Sequence, residues 1–197
     1  MNILGFFQRL GRALQLPIAV LPVAALLLRF GQPDLLNVAF IAQAGGAIFD
    51  NLALIFAIGV ASSWSKDSAG AAALAGAVGY FILTKAMVTI NPEINMGVLA
   101  GIITGLVGGA VYNRWANIKL PDFLSFFGGK RFVPIATGFF CLVLAAIFGY
   151  VWPPVQHAIH AGGEWIVSAG ALGSGIFGFI NRLLIPTGLH QVLNTIA

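Results

Sequence analysis

The cations of this chain fall in alternate gaps between apolar stretches. That alternation restricts it to one class of fold: an all-α polytopic membrane protein. Of the ten lysines and arginines, Arg9 and Arg12 precede the first apolar run and Lys66 follows the second. Arg114, Lys119, Lys130 and Arg131 lie together after the fourth. The intervening gaps carry Arg29 beside Asp34, then Glu93, then Glu164 with His157 and His160. An excess of Lys and Arg in short loops marks the cytoplasmic side, which predicts a cytoplasmic N-terminus. Lys85 and Arg182 stand apart, because both fall inside apolar segments.

Composition supports the membrane assignment and removes competing classes. Hydrophobic residues make up 59% of the chain and charged residues 8%, whereas a soluble domain carries about a quarter charged residues. The net charge of +4 is spread over several loops and forms no dense basic stripe, which argues against a nucleic-acid partner. Cys141, the single cysteine, lies within FFCLVLAAIF. One thiol offers neither a disulfide nor a zinc framework.

About 20 apolar residues cross a bilayer. Runs of that kind occupy 94–113, 132–156 and 68–84, the last extending to Ile90 past Lys85. Residues 44–63 qualify if Asp50 is buried or lies near an interface. Residues 16–28 contain Pro17 and Pro22, so this span is expected to be kinked or to begin at the interface. The stretch from about 165 onward is interrupted by Arg182, Pro186 and His190. The expectation is about five transmembrane helices plus a broken sixth.

Residues 1–15 read differently. Ile3, Phe7, Leu10 and Leu14 recur at helical spacing while Gln8, Arg9, Arg12 and Gln15 fill the other face. This predicts an amphipathic helix on the inner leaflet. The LLLRFGQPD that follows lacks a small-x-small cleavage pattern, so a cleaved signal peptide is disfavoured. Residues 16–165 then form the membrane helices, with an outer interfacial segment near 153–165 bracketed by Trp152 and Trp165. Residues 166–197 begin a broken helix.

Glycine is abundant, and Gly101, Gly105 and Gly109 recur every fourth residue. Such a stripe lets helices approach closely in lipid, within the chain or between subunits. His157, His160 and Glu164 have metal-like spacing, but Gly162 and Gly163 weaken the helix that must present them. A solvated surface is the better reading, and no metal site is expected.

Arg182 and His190 carry the strongest chemical signal. A charge at membrane depth is expensive and normally faces a polar cavity. Pro186 and Gly188 follow Arg182, and freed backbone at that depth survives only against protein or water. Imidazole exchanges a proton near neutral pH. Gln191 and Asn194 add amides suited to a hydroxyl-rich ligand, so Arg182, His190, Gln191 and Asn194 are the expected substrate-binding set.

Four stretches carry a family resemblance: GGAIFDNLALIFAIGVA (45–61), YNRWANIKLPDFLSFFGGKRFVPI (112–135), IFGYVWPPV (147–155) and NRLLIPTGLHQVLN (181–194). Together they resemble the enzyme IIC membrane domain of the bacterial sugar phosphotransferase system, in its glucose/N-acetylglucosamine branch. The GLHQ form, rather than GLHH, is similar to the N-acetylglucosamine-specific members. The resemblance implies a homodimeric carrier in the bacterial inner membrane that moves N-acetylglucosamine inward and couples this to phosphorylation. The phosphoryl donor would be a phosphocysteine on a IIB partner, with no other cofactor. It also implies that His190 binds sugar and positions or deprotonates its attacking hydroxyl, making it the catalytic candidate, and that Arg182 binds there or neutralises phosphate.

Members of that family continue well past the position of Ala197, so a piece of a longer carrier is expected, inactive by itself. Two other readings stay open from the residues: a gradient-driven transporter or channel using Arg182 and His190, and a non-transporting membrane scaffold.

Overall fold

A computed structural model describes residues 3–168. All regular structure in that range is helical. Helix α1 (Ile3–Ile18) presents Phe6, Leu10, Ala13 and Leu14 along one face. Leu10, Ala13 and Leu14 are buried against Phe56, Val60 and Trp64. The sequence pattern had grouped Leu10 and Leu14 with Phe7, but Phe7 is exposed; the face used for packing is rotated toward Phe6.

Pro17 sits in the last turn of α1, and its ring fills the gap over Gly59, where a Cβ would lie 2.8 Å from Pro17 Cδ. The helix breaks at Ala19 and Val20. It restarts as α2 (Leu21–Gly31) with Pro22 in the first turn, where a missing N–H leaves no bond unmade. Helix α3 (Ala39–Asp50) runs back along α2. Gly31 lies directly against Ala42, and Gly45 against Ala24 and Leu28. Asn37 ends the connecting turn in the left-handed region (φ 51°), which asparagine tolerates better than most residues.

Helix α4 (Leu52–Trp64) continues α3 after a 57° bend at Asn51. The Asn51 side-chain amide donates to the Ala47 carbonyl at 2.9 Å. Helices α5 (Gly70–Ile90), α6 (Val98–Trp115) and α7 (Phe132–Ser168) complete the bundle. Two short 3-10 turns, Asp122–Phe127 and Gly129–Arg131, precede α7.

Helix α6 is the centre. Gly101 meets the Ala53 carbonyl, a Cβ on Gly105 would lie 2.7 Å from Val60 Cβ, and one on Gly109 would lie 2.7 Å from Trp64 Cβ. The stripe of three glycines, four residues apart, is therefore the α4 contact within this chain. On its other sides α6 packs with α5 and α7 through Ala72, Ala75, Leu83, Val111, Val133 and Cys141. Thr104, fully buried, returns its hydroxyl to the Ala100 carbonyl at 2.8 Å. In lipid such contacts are held by close packing rather than by a hydrophobic drive.

Among the described residues, Leu4–Gly31, Gly70–Ile90 and Gly129–Ile159 are long and apolar enough to cross a membrane, and the bent α3–α4 pair makes a fourth candidate. Helix α6 differs from the expected clean span at 94–113. It is wrapped by protein, so glycine and threonine replace the large apolar side chains that lipid demands. Helix α7 also differs from expectation: it runs for 37 residues through Pro153, Pro154, Gly162 and Gly163 without ending.

Candidate functional site

Helix order puts the C-termini of α4 and α6 and the N-termini of α5 and α7 at one end of the bundle. That end gathers the basic loops. The last carbonyls of a helix lack internal partners and carry partial negative charge. At α4 the Trp64 carbonyl accepts from Arg9 Nη2 at 2.7 Å and from Asn113 Nδ2 at 2.9 Å. The Arg9 guanidinium also lies 4.4 Å above the Trp64 ring. Asn113 Oδ1 accepts from the Lys66 backbone N–H at 2.8 Å. One carbonyl thus ties α1, α4 and α6 together.

Beside this knot, the Tyr112 hydroxyl donates to Asp67 Oδ2 at 2.8 Å, and Lys130 Nζ approaches the same oxygen at 3.7 Å. Both charged side chains are more than half exposed, so the pair orients the loops and adds little stability.

The clamp at the opposite end is built from neutral groups. Gln156, one turn past Pro153 on α7, donates from Nε2 to the Glu93 carbonyl at 2.9 Å. Its Oε1 accepts from the Asn95 N–H at 3.0 Å and from Trp152 Nε1 at 3.2 Å. Asn95 Oδ1 in turn accepts from Gly97 N–H at 2.9 Å. Gly97 has φ 50°, a conformation suited to glycine, and opens α6. Further along this side, Arg29 and Asp34 form an exposed ion pair at 2.8 Å. The guanidinium holds the Asp34 carboxyl below its usual range.

Asp50 is exposed at the α3–α4 bend, and Lys85 is exposed on α5. His157 is exposed on α7. No group of three His, Cys, Asp or Glu among the described residues could hold a metal ion. The four residues expected to bind substrate, Arg182, His190, Gln191 and Asn194, lie outside the described residues. The groups that charge counting missed are Tyr112, Asn113 and Gln156. Nothing in their local sequence marks them, because a neutral polar residue near a helix end has many possible partners.

The family pattern for the phosphotransferase system EIIC matches residues 11–197. The N-acetylglucosamine-specific EIICBA component of the Escherichia coli phosphotransferase system is 98% identical over all 197 residues. Its Klebsiella pneumoniae counterpart is 95% identical over the same length. The N-acetylglucosamine-specific EIICB component of Bacillus subtilis is 53% identical over 98% of the chain. The chain spans 30% of the length of the two EIICBA relatives and 43% of the EIICB relative. With several helices able to span a bilayer and a family match over nearly its whole length, this chain belongs to the phosphotransferase system EIIC family of integral inner-membrane components.

Proposed function

We propose that this chain is the N-terminal membrane part of a carrier that takes N-acetylglucosamine across the inner membrane and phosphorylates it on the way in. The observation that carries this reading is identity of 98% and 95% to two N-acetylglucosamine-specific components in alignments that span all 197 residues. The phosphoryl donor is a phosphocysteine on a IIB module, in keeping with relatives whose names combine C with B, and no further cofactor is needed. The chain acts as part of a sugar phosphotransferase, and the carrier works as a homodimer.

In this reading the basic end faces the cytoplasm. Residues 1–15 and the segment near 153–165 lie at the two interfaces, with five spans and a broken sixth between them. The described bundle, 16–165, is scaffold. Residues 166–197 begin the sugar-binding part, where His190 contacts sugar and positions or deprotonates the attacking hydroxyl. Arg182, Gln191 and Asn194 supply hydrogen bonds and charge.

The test is uptake by the full-length protein. Phosphoenolpyruvate-dependent accumulation of sugar phosphate should vanish in His190→Ala and persist when the proton gradient is collapsed. Uptake that stops with the gradient and ignores phosphoenolpyruvate would replace this reading with a gradient-driven transporter.

A further inference from the structure

The segment between α6 and α7 is unlike the other loops. It closes on itself through a hydrogen bond from Gly129 N–H to the Ile118 carbonyl at 2.9 Å, which draws together the two stretches of backbone that carry Lys119 and Lys130. Its aromatic side chains point outward: Phe123 is 82% exposed, Phe126 67%, and Phe127 is also exposed. Arg131 lies over the Phe126 ring at 4.6 Å and donates from Nη1 to the Phe126 carbonyl at 3.2 Å; its remaining guanidinium N–H groups have no hydrogen-bond partner among the described residues.

Arg131 enters α7 one turn above Ile135. Directly along that face runs an open groove of about 530 Å³, lined by Val78, Ile82, Ile135, Gly138, Phe139 and Leu142, with Pro134 at its edge. Gly138 keeps it open, since a Cβ there would come 2.9 Å from Ile82 Cδ1. Trp115, stacked on Phe140 at 5.5 Å, stands at the same level, as ring side chains do where a span leaves the hydrocarbon. Exposed phenylalanines, three cations against two acids (Asp122 within the segment and Asp67 beside Lys130), and an apolar furrow continuing into a membrane span are complementary to one kind of molecule.

We propose that residues 117–131 and the α5–α7 groove form a binding site for an anionic phospholipid of the leaflet at the basic end. The headgroup phosphate takes its hydrogen bonds from Arg131 and its charge neutralisation from Lys119 and Lys130. One acyl chain follows the groove past Gly138, and Phe123 and Phe126 enter the interface beside it. Interfacial insertion plus a cluster of cations is the combination that holds a segment on an anionic surface.

The test uses the full-length protein in nanodiscs of phosphatidylcholine with and without phosphatidylglycerol. Native mass spectrometry should show phosphatidylglycerol retained in preference to phosphatidylcholine. That preference should fall about fivefold for each cation removed in Lys119→Gln and Arg131→Gln, and Arg131→Lys should keep it. A nitroxide on Phe123→Cys should collide with oxygen more than with a water-soluble nickel chelate. Equal retention of the two lipids by the parent protein overturns the proposal. So does a nitroxide reached mainly by nickel, which places the loop in water, or one shielded from both, which means that protein covers it.

Discussion

The two ends of the bundle solve the same problem with different chemistry. At the basic end, Arg9 and Asn113 converge on one helix carbonyl, and Lys130 adds a charge beside Asp67 and Tyr112. At the other end a single neutral amide, Gln156, joins α7 to the α5–α6 turn, with no formal charge in the clamp itself. Cations are tolerated where they remain on the side of synthesis and are disfavoured where a loop must be moved across the bilayer. An amide clamp also braces helices and carries no charge to translocate. In the proposed orientation the ends differ in charge because of their position relative to the membrane, while their mechanical task is shared.

The most decisive way to break this comparison is all-or-none. In intact cells, a membrane-impermeant maleimide should label Glu93→Cys and leave Lys66→Cys untouched until the membrane is opened. The parent chain has only Cys141, which is buried, so its background is low. Labelling of Lys66→Cys from outside would invert the assignment of the two ends.

Next in size is Arg9→Ala. It removes a stacked guanidinium and a charge-assisted hydrogen bond, with an expected loss of about 2 kcal/mol, read as a lower midpoint of unfolding in detergent. Arg9→Lys should recover only part, because an ammonium lacks the planar surface that lies on Trp64. Gln156→Ala should lose about 1 kcal/mol from the neutral clamp, and added salt should not change that loss. If Gln156→Ala proves salt-sensitive while Arg9→Ala does not, the division of chemistry between the ends is wrong.

The smallest effect belongs to Arg29→Ala, since an exposed pair contributes little and is screened by salt. Its pH dependence has a definite sign. The Asp34 carboxyl is held below its ordinary value of 3.8, so any contribution is present above that pH and disappears as pH falls through the lowered one. The stability difference between Arg29→Ala and the parent should therefore close in acid. A difference that grows on acidification would show that Arg29 acts through another partner.

Much of the architecture was legible without coordinates. Apolar run length pointed to the spans near 70–90, past Lys85, and 132–156, and Pro17 with Pro22 announced the break between α1 and α2. The glycine period in α6 announced a close helix contact. It could not say with what, since Ala53, Val60 and Trp64 are brought there only by the turn of the chain through α5. Helix α7 continues through Gly162–Gly163, because a local cost of about 1 kcal/mol per glycine can be overridden inside a long helix. Arg182, His190, Gln191 and Asn194 were legible as a polar group in an apolar setting, and their arrangement lies outside the described residues.

Sequence alone determined that this chain enters a membrane and which loops share a side, because both follow from transfer energies that add along the chain. Only tertiary structure decided which face of α1 is buried, that α6 is enclosed by protein, and that Gln156 reaches the α5–α6 turn. Those outcomes depend on distances between residues as many as 63 positions apart, which no local pattern encodes.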